Sequence, residues 1–120
     1  MLLIDGYNLC FARKDRSLAK SSPAELARAR EDLLDLLADY RARRPDAILI
    51  VFDGDRSSDP APRRSRREGI EVLFSPHKVN ADRVIKDYVS KARTPGALRV
   101  ITSDREVAAA ARAAGAEPIG

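Results

Sequence analysis

Short apolar runs alternate along the chain with longer stretches in which apolar residues recur every three or four positions. Leu2-Leu3-Ile4 is too short for a helix and delivers Asp5 into Gly6-Tyr7-Asn8, so it predicts a buried strand that ends in a polar turn. The same event recurs where Ile48-Leu49-Ile50-Val51-Phe52 meets Asp53, and where Leu98-Arg99-Val100-Ile101-Thr102-Ser103 meets Asp104. An unbroken apolar run such as Ala47 to Phe52 suits a parallel strand covered on both faces.

Between these runs lie helix signals. Ser22-Pro23-Ala24-Glu25 places Ser at an N-cap, Pro in the first turn and Glu three residues after the Ser, the pattern of a capping box. Leu26, Ala29, Leu33, Leu36, Leu37 and Tyr40 then predict one buried helical face, ending near Arg43 before Pro45. Asn80 is the expected N-cap of a second helix, buried through Val84, Ile85, Tyr88, Val89 and Ala92 and stopped by Thr94-Pro95-Gly96. Ser103-Asp104-Arg105-Glu106 reads as another capping box, opening an alanine-rich helix with Val107, Ala110, Ala111 and Ala114 inward and Gly115 as its left-handed cap.

The remaining segments read as connections and short strands. Cys10 to Ser21 is expected to be a polar, basic loop. Arg56 to Glu68 is expected to be an irregular cationic loop, because Ser57-Ser58-Asp59-Pro60-Ala61-Pro62 cannot hold a regular element. Ile70 to Phe74 and Ala97 to Thr102 are further strands, and Glu117-Pro118-Ile119 is a short one, at an edge because of its proline. Strands alternating with helices in this way predict an α/β fold with a mostly parallel sheet of four to five strands between helical layers.

Composition changes this picture little. At 120 residues the chain is the size of one domain, with no internal repeat or linker. A net charge of +4 favours an anionic partner. There is no Trp, and three Tyr and three Phe leave little to stack bases on. One cysteine, Cys10, allows no internal disulfide and suits a cytoplasmic protein, and no apolar run is long enough to span a membrane.

Candidate chemistry follows from topology. In open parallel sheets the polar site lies outside the carboxyl ends of the strands, so Asp5, Asp53, Asp82 and Asp104 should project from one edge. Crowded carboxylates need a cation, protonation or basic neighbours to offset their repulsion. All-oxygen ligands select Mg²⁺ or Mn²⁺, whereas no zinc cluster or EF-hand loop is visible. Taken singly, each acid also has a structural reading: a turn at Asp53-Gly54, or a first-turn residue at Asp82 and Asp104, with Asp82 paired to Lys86.

Leu3-Ile4-Asp5-Gly6-Tyr7-Asn8, Val51-Phe52-Asp53-Gly54, Val72-Leu73-Phe74-Ser75, Ala81-Asp82-Arg83-Val84-Ile85 and Thr102-Ser103-Asp104-Arg105, in this order and spacing, resemble the YacP-like NYN domain family. That family belongs to the PIN-like metal-dependent ribonucleases, and the resemblance spans nearly the whole chain. It implies a single three-layer α/β/α PIN-like domain over residues 1–120 and endonucleolytic RNA cleavage by metal-activated water. Some relatives act on RNA engaged with ribosomes. By position, Asp5, Asp82 and Asp104 would hold Mg²⁺ or Mn²⁺ or orient water, with Asp53 in a secondary place. Asn8 would hold substrate or water, and Ser103 would orient Asp104.

Family members often carry further acids where this chain has Arg83 and Lys86, so the basic pair would weaken metal binding or contact phosphate instead. Relatives also commonly continue with a helical C-terminal segment, which leaves a minimal version or an excised domain as alternatives here.

RNA phosphates entering an acidic cleft need cations at its rim, for which Arg13, Arg63, Arg64, Arg66 and Arg67 are candidates beside Lys14 and Arg16. His77 reads as a surface histidine and Cys10 as a small packed residue. Tyr7 either stacks on a base or packs under the first loop. Two rival functions remain open: an RNA- or ribosome-binding module without efficient cleavage, and a phosphoacceptor domain. The second lacks both a phosphatase Asp-x-Asp at Asp5-Gly6-Tyr7 and a lysine after the last strand.

Overall fold

The computed structural model describes residues 1–13, 22–54 and 64–119, and for residues 11–13 and 23 the backbone alone. Its elements are β1 (Leu2–Asp5), α1 (Gly6–Arg13), α2 (Pro23–Arg43), β2 (Ile48–Phe52), β3 (Arg64–Arg67), β4 (Ile70–Phe74), α3 (Ala81–Lys91), β5 (Arg99–Ile101), α4 (Arg105–Ala114) and β6 (Glu117–Ile119), with a 3₁₀ turn at Pro95–Ala97. The strands form one sheet in the order β3-β4-β2-β1-β5-β6. Every pairing is parallel except that of β3 with β4.

Every residue of β1 and β2 is buried, as a strand covered on both faces requires. Alternate side chains feed two cores. Leu2, Ile4, Ile48, Ile50, Phe52, Ile70 and Val72 meet α1 and α2 on one face. Leu3, Leu49, Val51 and Val100 meet α3 and α4 on the other. The expected three layers are therefore present, and the sheet has six strands rather than four to five.

The sixth strand corrects the expectation of an irregular loop through Glu68. Arg64–Arg67 pairs antiparallel with β4 through a tight turn at Glu68 (φ 50°) and Gly69 (φ 81°). Consecutive positive φ values match the right-handed twist of a hairpin, and this geometry needs Gly at the second position. The cationic run is held by acids: Arg64 meets Glu71 at 3.2 Å, and Arg67 bridges Glu31 and Asp35 of α2. These pairs are exposed, so Arg67→Ala is expected to cost less than about 1 kcal/mol in a urea melt.

A second correction concerns the first connection. The chain enters a helix directly at Gly6, because Asp5 accepts a hydrogen bond from the Asn8 backbone N–H, as an N-cap does from the third helical residue. The segment expected to be a loop from Cys10 is thus helical through Arg13. Asp104, not Ser103, caps α4, accepting from the N–H groups of Glu106 and Val107, while Ser22 forms the expected capping box on α2.

Two residues expected in buried faces are exposed, Leu36 at 47% and Tyr88 at 36%. Leu36 lines a groove of about 850 Å³ with Leu2, Tyr40, Ile101 and Ile119. Among the described residues the groove runs between α2 on one side and Arg99, Ile101 and Ile119 of β5 and β6 on the other. Tyr88 stands at another rim, its hydroxyl 3.5 Å from Met1 Sδ. Among the described residues no helix is long and apolar enough to cross a membrane.

Candidate metal and nucleic-acid site at the carboxyl edge

From β1 the chain moves outward to β2 and β4, then crosses to β5 and β6 on the other side, so strand order reverses at β1. A crevice opens at such a switch point, at the carboxyl ends of the strands. Asp5, Tyr7, Asn8, Asp53, Asn80, Ala81, Asp82 and Asp104 line a cleft there of about 220 Å³. The four acids expected at this edge therefore share one cleft.

Each acid sits differently. Asp5 is buried at the end of β1, and its carboxyl is pushed up to about 7, first by burial and then by the charges of Asp82 and Asp104. Two hydrogen bonds oppose the shift, from the Asn8 N–H and from the Thr102 hydroxyl at 3.5 Å. Asp82, in the first turn of α3, is raised by burial, by the Asp104 charge and by a hydrogen bond shared with the Asp104 carboxyl. Asp104 is held below the usual carboxylate range, chiefly by the Val107 N–H that it caps. Asp82 and Asp104 therefore respond in opposite directions, Asp82 upward and Asp104 downward, because only Asp104 has helix N–H groups to accept from.

Thr102 ties the acids together. Its buried hydroxyl donates to Asp5 and accepts from the Asp104 N–H at 3.1 Å. Asn8 is fixed from its carbonyl end, where Oδ1 accepts from Ser103 N at 2.8 Å and Ser103 Oγ at 2.9 Å. These bonds point Ser103 at Asn8, whereas the resemblance assigned it to Asp104. With Oδ1 doubly engaged, Nδ2 is the end of Asn8 left to donate.

The expected basic rim is only partly assembled. Arg83 is exposed one residue after Asp82, and Lys86 reaches Glu106 at 3.4 Å rather than Asp82. Arg64 lies opposite Leu73 near the carboxyl end of β4. Arg67 lies opposite Ile70, at the far end of that strand and bound to α2, which removes it from the rim. Arg66 is exposed on the same edge strand. Arg63, Lys14, Arg16 and the side chain of Arg13 lie outside the described residues.

Several participants were not singled out by the sequence. Thr102 was visible only as part of a Thr-Ser-Asp run. Asn80 was read as a cap and also lines the cleft. Arg30 is buried beneath the cleft, its Nη1 donating to the Tyr7 hydroxyl at 2.8 Å. The signal for it was the core spacing Leu26, Arg30, Leu33, Leu37, in which one charge occupies an inward position.

The chemistry of the donors fits a hard divalent cation: Asp and Asn oxygens surround the cleft, and no Cys or His lines it. Among the described residues, no three such groups are already drawn together as a metal cage. Asp5, Asp82 and Asp104 interact, yet they stand as an open set.

Comparison with known proteins agrees with this architecture. No curated protein matches the sequence. Two crystal structures of Rae1 (YacP) from Bacillus subtilis, one of them a mutant, share the fold. The mutant is 24% identical with a TM-score of 0.75, over 98% of this chain and 67% of that one. The other is 24% identical with a TM-score of 0.76, over 99% and 67%. In sequence, residues 2–120 match the YacP-like NYN domain, and the chain belongs to that family of PIN-like nuclease domains.

Proposed function

We propose that the chain, as one NYN domain over residues 1–120, is an endoribonuclease that hydrolyses RNA phosphodiesters at the acidic cleft with Mg²⁺ or Mn²⁺. The observation that carries this reading is the convergence of Asp5, Asp53, Asp82 and Asp104 on one cleft, with a buried carboxyl at its floor. Asp5, Asp82 and Asp104 would hold the cation, and Asp53 lines the same cleft. A divalent cation supplies Lewis acidity there, both to a water nucleophile and to charge developing on a phosphoryl oxygen.

The chain's own residues then have definite tasks. Asn8, locked through Oδ1, offers Nδ2 to a phosphate oxygen or to water. Thr102 keeps Asp5 and Asp104 in register. Arg83 and Lys86 stand on the face of α3 that follows Asp82, where they meet backbone phosphates flanking the cut. The substrate is RNA, including RNA engaged with ribosomes, and the setting is cytoplasmic and away from membranes.

A second reading is an RNA- or ribosome-binding module on the same fold. One observation favours it: the Lys86 charge acts on both Asp82 and Asp104, partly neutralising them without an added cation.

Cleavage of a mixed single-stranded and structured RNA pool in Mn²⁺, Mg²⁺ or EDTA separates the two. The nuclease reading expects metal-dependent cutting that Asp104→Asn abolishes while α4 stays folded, since Asn caps a helix about as well as Asp. RNA binding that is equal with and without chelator, with no cutting in either metal, would replace it with the binding module.

A further inference from the structure

We propose that Arg30 is a positioning residue of the cleft, holding Tyr7 so that the first turn of α1 presents Asn8 and Asp5 in one fixed arrangement. The inference rests on the nuclease reading for its kinetic consequence, but not for its structural one.

Arg30 occupies an inward position of α2 and is only 8% exposed. Burying a guanidinium costs several kcal/mol unless its donors are met, and a leucine would fill the same place without that cost. What leucine cannot do is hold a phenol. Arg30 Nη1 donates to the Tyr7 hydroxyl at 2.8 Å, and its guanidinium lies 5.4 Å from the centre of the Phe74 ring. Phe74 stacks on Phe52 at 5.5 Å, and Phe52 meets Tyr7 at 5.0 Å and 57°. The four side chains close a ring beneath the cleft.

The ring bears on α1 through its first turn. The eight residues described for α1 would hold little stability by themselves, so the direction of that turn is set by its anchors. One side of its first turn carries Asn8, whose N–H reaches Asp5 and whose Oδ1 reaches Ser103. On the side facing α2 the helix is anchored by Tyr7, held by Arg30, and one turn further on by Cys10, whose Sγ donates to the Ala29 carbonyl at 3.8 Å. If Tyr7 is released, the turn can rotate, and both Asn8 contacts loosen together.

The test compares Arg30→Met, which keeps the stem and removes the donors, with Arg30→Lys, Tyr7→Phe and the Arg30→Met/Tyr7→Phe double variant. A short fluorescent RNA is cut in Mn²⁺ for kcat and KM, and bound in EDTA for affinity. Amide hydrogen exchange follows the first turn of α1. Arg30→Met is expected to lower kcat by about tenfold or more, since small misplacements of reacting groups are costly. KM and RNA affinity should stay within about twofold, as expected for a group that does not touch substrate. Arg30→Lys should recover part of the loss. Tyr7→Phe should match Arg30→Met, and the double variant should be no worse than either.

Exchange at Asn8 should accelerate in Arg30→Met while α3 amides stay protected, and this readout needs no cutting. Unchanged exchange at Asn8 overturns the proposal, whatever happens to activity. Kinetic losses that multiply in the double variant, or a rise in KM at constant kcat, overturn it too. Absence of cutting by the wild type would remove the nuclease reading and leave the exchange result to decide the role of Arg30.

Discussion

Asp5→Asn is expected to abolish metal-dependent RNA cleavage and, without metal at pH 8, to make the protein more stable. Loss of one of three candidate ligands should cost on the order of 10³-fold in rate, equivalent to about 4 kcal/mol. The stability gain has its own cause. The Asp5 carboxyl is raised from 3.8 to about 7, chiefly by burial. A raised acid binds its proton more tightly in the folded state than in the unfolded chain. Between these two values stability therefore falls as pH rises, and above about 7 the folded protein carries the full penalty of a buried, repelled anion. That penalty is on the order of a few kcal/mol. Asparagine is neutral throughout and keeps an oxygen for the Asn8 N–H and a similar shape beside Thr102.

Melting temperatures at pH 5 and pH 8 in EDTA test this sign. The variant should gain on the wild type as pH rises, and Mn²⁺ should raise the wild-type midpoint while leaving the variant's almost unchanged. A variant that loses stability equally at both pH values would show that Asp5 is a structural acceptor and not an anion held in readiness. The same trade is common at functional sites, where a group that is costly in the free protein becomes useful once its partner arrives.

How much of this was legible in the sequence depends on whether the signal was local. The opening strand and its acid could be read because four successive buried residues leave little alternative, and Ser22-Pro23-Ala24-Glu25 announced α2 by its own hydrogen bonds. The edge shared by the four acids followed from strand alternation alone. Arg64–Arg67 could not be read as a strand, since its four polar residues, three exposed and one half-buried, have no alternation of burial. Its pairing comes from the neighbouring β4, which also meets Arg64 through Glu71, while Arg67 is met by Glu31 and Asp35 of α2, more than thirty residues away. Gly6 misled for a similar reason: glycine beside an acid marks a turn locally, whereas here it opens a helix under an aromatic ring.

That ring makes Gly6→Ala the second substitution of large effect. A Cβ at position 6 would lie 2.4 Å from Phe52 Cδ1 and Cε1 and 3.0 Å from the Val51 carbonyl oxygen. Alanine gains up to about 1 kcal/mol of helix propensity in α1. Overpacking a filled core costs typically 1–3 kcal/mol, about the same size or larger, so geometry decides. Phe52 is fully buried between Tyr7 and Phe74, and β1 is pinned by β2 and β5, so neither side can yield cheaply. A net loss of about 2 kcal/mol is expected, which lowers the melting temperature by roughly 10 °C for a chain of this size. Because Gly6 stands between Asp5 and Tyr7, the displacement should also slow cleavage. Phe52→Leu separates the clash from other causes. Alone it should destabilise by removing ring contacts, but with Gly6→Ala it vacates the contested space. The double variant should then be more stable than the sum of the two losses predicts, by about 1 kcal/mol or more. Strict additivity would mean that the cost of Gly6→Ala lies in the backbone of the Asp5 turn, and that the ring beneath the cleft has room to spare.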